Sequence, residues 1–327
     1  MNTICKFADI DTYLLYFIDL SLVFTLTTIS KDQNIHMFNL DFVKELHIIV
    51  QKYGYKNIID NAAKHNYVSV LNWLADTKYD FKNLKINYNK PMPSIDGYID
   101  LLNRDANSIY VLQYSTDAID EASAYGHINI LNWFANSKYK FKYSKMAINY
   151  AAEKGHINIL NWFAMSEYEF KYSDLAIDSA AENGHIDVLR WFAKSDYEFE
   201  YSKFAIDCAA GKGHIDILEW FDKSDYEFKY SELAIDLAAE NGHLNILEWF
   251  DKSQYEFKYS KDLMCFALKR IQILKWLDVS KYEIKYIENN MCDILDDILD
   301  DNNKYVETLR DYLGPNSRII KILEQYI

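Results

Sequence analysis

Proline and glycine are scarce, at 3 and 9 of 327 residues. An all-β sandwich or barrel needs turn formers every ~8 to 12 residues, so a chain this poor in them is expected to be mostly helical. Basic residues are also in deficit, 35 against 49 acids, for a net charge of −14. Nucleic-acid binding rests on Lys and Arg neutralising phosphates, and anionic membrane surfaces attract the same side chains. Neither partner is therefore expected. The four cysteines, Cys5, Cys208, Cys265 and Cys292, lie far apart and form no C-x-x-C pair. That spacing suits reduced thiols in a cytoplasmic protein.

Long apolar runs are missing, with one near exception at Tyr13 to Ile29. The run carries Asp19 and stops at the short limit of the ~20 residues a membrane span needs. Asp9 and Asp11 stand where a signal peptide would want positive charge. What the chain does have is 50% apolar side chains, ample to bury a core. Its length allows two average domains or one elongated array.

Self-comparison favours the array. G-H dipeptides begin at Gly126, Gly155, Gly184, Gly213 and Gly242, each 29 residues after the last, and Trp133, Trp162, Trp191, Trp220 and Trp249 keep the same beat. A fixed period between ~20 and 50 residues marks a solenoid, propeller or array. Weaker copies extend the pattern at both ends. Ile58 to Tyr88 has Asn66 and Tyr67 in place of Gly and His, and Asn89 to Asp117 has Arg104 in place of Trp. Trp276 follows Trp249 by 27 residues, as though the G-H pair itself were missing. About eight units result.

Each unit predicts two short helices and a loop. The segment A-I-D-x-A-A-E is made of good helix formers, and Gly suits the left-handed position that closes a helix. In the unit from Ala205, Ile215, Ile217, Leu218, Trp220 and Phe221 make the second helix apolar around most of its circumference. Such a helix needs cover on two sides, which stacked neighbours supply. The tryptophans are expected in the core, and Tyr226 and Phe228 of the loop are expected to pack inward.

The motif A-A-E-x-G-H-I-x-I-L-x-W-F resembles ankyrin repeats over roughly Ile58 to Asn289. The period of 29 is shorter than that family's ~33, and L-A-I-D (Leu175 to Asp178) stands where the family has T-P-L-H. Together with Y-E-F-K-Y, the motif resembles the ankyrin families of giant DNA viruses of the mimivirus type. The resemblance implies an all-α, ankyrin-type helical-repeat solenoid of 29-residue units spanning 58–289, with helical caps at 1–57 and 290–327. Within the first cap, Ala8 to Lys31 is weakly similar to an F-box, the helical segment that attaches substrate receptors to a ubiquitin-ligase scaffold. A plain apolar cap is the other reading of those residues. In the second cap, Ile294, Leu295, Ile298 and Leu299 fall on one helical face, and Gly314 and Pro315 break the chain before a last short helix.

Chemistry is sparse. Five G-H histidines invite a metal, but equivalent side chains in stacked helices stand ~8 to 10 Å apart, too far for nitrogens sharing one zinc. His127, His156, His185, His214 and His243 are expected to hydrogen-bond across turns instead. Glu219 with Lys223 and Glu248 with Lys252 have the spacing of solvated helix pairs. No catalytic motif or unique constellation of nucleophile and base appears, so no enzyme and no cofactor is expected.

What remains is surface. The five clear units carry net charges of +2, −2, −3, −4 and −3, a field able to steer a basic protein partner. The resemblance implies a groove lined by the ends of the first helices and the loops. Here that means Tyr125, Glu153, Lys154, Glu182, Asn183, Lys212, Glu240 and Asn241. The expected function is a monomeric, non-enzymatic scaffold that binds a host or viral protein. A ubiquitin-ligase substrate adaptor and a structural component of a viral particle are the alternatives.

Overall fold

The computed structural model describes residues 58–76, 114–285 and 302–325, together with 45, 48, 49 and 52. The expected helical cap or F-box-like segment at 1–57 lies almost wholly outside the described residues, and the covering helix at 291–301 lies wholly outside them. Among the described residues the protein is all helical, with sixteen α-helices and no strand. No described helix is long and apolar enough to cross a membrane. The chain divides into two compact units, 1–147 and 148–327, a division that falls inside the repeat.

The first unit contains α1 (Ile58–Lys64), α2 (Val68–Asp76), α3 (Asp117–Ala124) and α4 (Ile128–Asn136). α5 (Met146–Glu153) begins at the end of that unit. The second unit continues with α6 (Ile157–Met165), α7 (Leu175–Glu182), α8 (Ile186–Lys194), α9 (Phe204–Gly211) and α10 (Ile215–Lys223). It ends with α11 (Leu233–Asn241), α12 (Leu244–Lys252), α13 (Leu263–Ala267), α14 (Ile271–Val279), α15 (Asn302–Leu313) and α16 (Arg318–Leu323). Within it α7, α9, α11 and α13 pack one on the next, as do α6, α8, α10, α12 and α14. In the first unit α1 packs on α3 and α2 on α4.

The core follows from composition. In α9, Ala205, Ile206, Ala209 and Ala210 are fully buried. Small alanines on both sides let first helices approach closely. In α10, Ile217, Leu218 and Phe221 are buried, and the same three positions are buried in every second helix of the regular copies. The tryptophans of the regular copies, Trp133 to Trp249, are not in that core, contrary to expectation. Phe134, Phe163, Phe192, Phe221 and Phe250 are the fully buried aromatics, and Trp220 beside Phe221 is only half-buried. Phe points into the space between the two helix layers, while Trp lies at the edge where loops cross. Tyr226 and Phe228 are likewise half-buried rather than inward-packed.

The turn between paired helices has two reasons to need glycine. Gly184 and Gly213 have φ of +74° and +80°, a left-handed conformation costly for residues with a Cβ. The His185 N–H donates to Ala180 O at 2.8 Å and the Gly184 N–H to Ala181 O at 3.1 Å, closing the helix end. A Cβ at Gly213 would also lie 2.6 Å from Nδ1 of His243 in the following copy. Asn66 takes the same place between α1 and α2 at φ +59°, as the non-glycine residue that best tolerates it.

The weak copies at the two ends differ. α1 packs directly on α3, and His127 Nε2 bonds Lys64 O at 3.1 Å across 63 residues. Of the unit expected at Asn89 to Asp117, residues 89–113 lie outside those described. At the other end the lost residues are not the G-H pair as a block. Arg270 precedes α14 where His243 precedes α12, and its Nε donates to Glu240 O at 2.9 Å. The shortening falls on the first helix, since α13 has five residues against eight in α7.

The last pair is covered by α15 and α16, both of which pack on α14. Asp278 accepts from Ser317 Oγ at 2.9 Å and from the Arg318 N–H at 2.7 Å. The Arg318 guanidinium caps carbonyls left open at the end of α14, among them Leu277 O at 2.6 Å and Ser280 O at 3.0 Å.

Candidate functional site

Four sets of inter-copy bonds consume most of the reactive side chains. The first joins the buried acid of each first helix to a serine of the next loop. Asp207 accepts from the Ser231 N–H at 2.8 Å and from Oγ at 2.6 Å, and Asp120 does the same with Ser144 at 2.9 and 2.6 Å. Asp178 and Asp236 hold Ser202 and Ser260, and Asp60 holds Ser115. Asn149 takes the role once, with its amide donating to Ser173 Oγ at 2.9 Å. Burial pushes the carboxyls of Asp60, Asp120, Asp178, Asp207 and Asp236 above the ordinary range, and the serine bonds oppose that push. A charged group that is buried must be hydrogen-bonded, so these acids are structural. The A-I-D and Y-S segments recurred at one fixed offset in the sequence, which was the available signal for this pairing.

The second set belongs to the histidines, whose rings point back at the preceding copy. His185 bonds the Glu153 backbone, as His127 bonds Lys64 O. Burial lowers the pKa of His185 and His243, and each ring lies against the glycine of the preceding copy, Gly155 and Gly213. Among the described residues no group of three His, Cys, Asp or Glu side chains could hold a metal ion.

The third set is an aromatic ladder along the loops. Phe199 stacks on Tyr226 and Phe228 on Tyr255, each with centroids 4.0 Å apart, and Phe228 stacks on Trp249 at 5.6 Å. Tyr172 donates its hydroxyl to Glu198 O at 2.6 Å, and Tyr230 to Glu256 O at 2.6 Å. The fourth set covers those tyrosines with lysines of the following loop, Lys229 over Tyr201 and Lys258 over Tyr230, both at 4.3 Å. Burial raises the Tyr201 hydroxyl to about 12, so it stays protonated and donating.

The anticipated groove residues divide. In the first unit Tyr125 is exposed and stacks on His127. In the second, Lys154, Asn183, Lys212, Glu240 and Asn241 are exposed, and Glu153 and Glu182 are half-buried. They share one location, the carboxyl ends of α5, α7, α9 and α11. Several are engaged locally. Lys154 pairs with Glu153 at 2.8 Å, Asn183 Nδ2 bonds Ser179 O at 2.8 Å, and Asn241 Nδ2 bonds both Gly211 O and Leu237 O. Gly211, beside Lys212, is buried because a Cβ there would meet Leu237 at 2.8 Å. A surface depression lies elsewhere, on the second-helix side, lined by Asp222, Glu248, Trp249 and Gln254.

A row that the sequence reading missed lies at the opposite ends of the first helices. Leu175, Phe204 and Leu233 are the first residues of α7, α9 and α11. They are 46%, 50% and 39% exposed. The signal was present, because each precedes the A-I pair that already fills the buried face. An apolar residue at that position has no core to enter. Around the row stand exposed Asp174, Glu200, Lys203 and Glu232. Thus the second unit presents two candidate surfaces, a polar one at the helix ends and an apolar, acid-flanked one at the helix starts. No protein-family model matches the chain, and no curated protein matches it either.

Proposed function

We propose that the chain is a non-enzymatic protein-binding scaffold, an ankyrin-type repeat array whose surface holds a basic segment of a partner protein. The observation that carries this is the half-exposed row Leu175, Phe204 and Leu233 beside acids, in a molecule whose buried acids, histidines and tyrosines are already bonded between copies. Catalysis needs a nucleophile, acid or base free to meet a substrate in one asymmetric place. Here the same bonds recur copy after copy. An apolar row edged by charge is instead what a protein partner uses, with burial supplying affinity and complementary charge supplying steering.

Crosslinking mass spectrometry on the full chain in expressing cells tests this. Crosslinks from Lys203, Lys229 or Lys261 to a basic protein, weakened at high salt, are the expected result. Absence of any crosslinked partner, or a turnover activity of the purified chain, would overturn it.

A further inference from the structure

One register of the second unit departs from a pattern found in four others. A loop lysine lies over the tyrosine of the preceding loop in four places. These are Lys142 over Tyr114 at 4.6 Å, and Lys229 over Tyr201, Lys258 over Tyr230 and Lys285 over Tyr259 at 4.3 Å. The positive charge of three of these lysines also reaches a buried acid one copy further back. Lys142 acts on Asp60, Lys229 on Asp178 and Lys258 on Asp207. At the position that would cover Tyr172 the chain has Glu200, and the buried position it would face is Asn149, the sole amide among the buried acids.

The two changes make physical sense together. A glutamate near a second buried carboxylate would be repelled, whereas the Asn149 amide tolerates it while keeping the Ser173 bonds. The consequence is at the surface. Tyr172 keeps its hydroxyl bond to Glu198 O. Beside its ring, however, stands the Glu200 carboxylate, whose charge raises the Tyr172 pKa after burial has done so. In those four registers the protein's own ammonium sits over the ring and would repel an incoming cation. Here an aromatic face and an exposed carboxylate adjoin with no lysine between them. Leu175 lies three residues beyond Tyr172 and Phe204 four residues beyond Glu200, each about half exposed.

We infer that Tyr172 and Glu200 form a seat for one lysine or arginine side chain of a protein partner, flanked by Leu175 and Phe204 as contacts for that segment's apolar residues. A ring face attracts a cation electrostatically, and the carboxylate completes the pair. The stacked helices that carry Leu175 and Phe204 are ~8 to 10 Å apart, which one three-residue turn of polyproline II chain spans with its first and fourth side chains on the same face. The matching segment therefore places apolar residues three apart with a basic residue beside them. Because the seat occurs in one copy, it fixes the register at which a partner lies on otherwise similar repeats.

The seat deepens the protein-binding function proposed above and rests on it, so the test separates the two. A phage-displayed library of random 12-residue peptides is selected on the full chain. Enriched peptides are then titrated against wild type, Glu200→Lys, Glu200→Gln and a Glu182→Ala/Asn183→Ala variant, with thermal melts confirming folding. Glu200→Lys installs the residue that other copies carry, so it keeps the fold. Enriched peptides are expected to carry Lys or Arg next to apolar residues. Glu200→Lys is expected to weaken them about tenfold or more and Glu200→Gln by about threefold, with the helix-end variant changing affinity less than about twofold. Unchanged binding in Glu200→Lys would overturn the seat and leave the scaffold standing. Enrichment of no binding peptide would overturn both.

Discussion

The central copies, α7 to α12, and the last pair, α13 and α14, perform the same packing with different parts. Centrally, a glycine in left-handed conformation sits under a histidine ring of the next copy, with Gly184 against His214 and Gly213 against His243. At the last pair Gly242 faces Arg270, and the nearest side-chain atom to an added Cβ is Arg270 Cδ at 3.2 Å rather than a ring atom at 2.6 to 2.7 Å. Both His127 and Arg270 donate to a carbonyl at the end of the preceding first helix. The lesson is that the carbonyl contact is required and the ring is one way of making it. An arginine reaches as far with a flexible, permanently charged arm, and the helix it leaves behind can be shorter.

The largest effect that could sharpen this comparison is in the core. Phe221→Ala in α10 removes a fully buried ring and is expected to cost ~3 to 5 kcal/mol by urea denaturation. Trp220→Ala should cost clearly less, because the indole is half-buried; an equal loss would show that the two aromatic layers act as one. Next comes the turn. Gly213→Ala should cost ~2 to 3 kcal/mol, joining left-handed strain to collision with the His243 ring. Gly242→Ala should cost about 1 kcal/mol less, since the Arg270 arm can swing aside. Equal costs in calorimetric melts would deny any difference between ring and arm.

Removing an inter-copy staple is a smaller step. Asp207→Ala strands the Ser231 N–H and Oγ and should cost ~1 to 3 kcal/mol. Asp207→Asn should cost under ~1 kcal/mol by the same urea series, as Asn149 shows that an amide can hold a serine.

The pH dependence separates central and terminal junctions by direction. Folding lowers the pKa of His185 and His243 below 6.5. The unfolded chain then binds more protons, so these residues' contribution is complete above pH 6.5 and shrinks as pH falls through the lowered value. At α14 the corresponding carbonyl contact is made by Arg270 instead of a histidine. Amide exchange in α8 and α12 should therefore quicken relative to α14 between pH 7 and pH 5.5, and uniform change would break the comparison. The buried aspartates act oppositely. Their raised pKa means that the native state binds protons more tightly above 3.8, so their contribution falls as pH rises through the raised value. Smallest of all, Glu219→Gln removes the exposed pair with Lys223 at 3.1 Å and should change stability by ~0.2 to 0.5 kcal/mol.

Much of the local structure was legible before any coordinates. A-I-D-x-A-A-E followed by G-H announces a helix, a left-handed stop and a second helix, because propensity and turn chemistry act within a few residues. The exchange of Gly for Asn66 was visible for the same reason. The assignment of Trp220 and Phe221 to inside and edge was not, since both are apolar neighbours on one helix and only the second layer of helices decides which is enclosed. The staple of Asp207 to Ser231 was hidden by distance along the chain. The closeness of Gly211, beside Lys212, to Leu237 of the following copy was hidden in the same way. The row Leu175, Phe204 and Leu233 emerged only once the alanines and isoleucines beside it were seen to fill the core.

By itself the sequence determined the helical pair, its 29-residue period and the residues that must face a neighbour, because those follow from backbone preference and from apolar side chains that no single pair can shelter. Only the tertiary structure decided that α1 packs on α3, that Arg270 stands in for histidine, and that Glu200 rather than a lysine lies beside Tyr172. Each of these is a contact between residues distant in the chain. Local pattern says which surfaces need a partner, and geometry alone says which partner arrives.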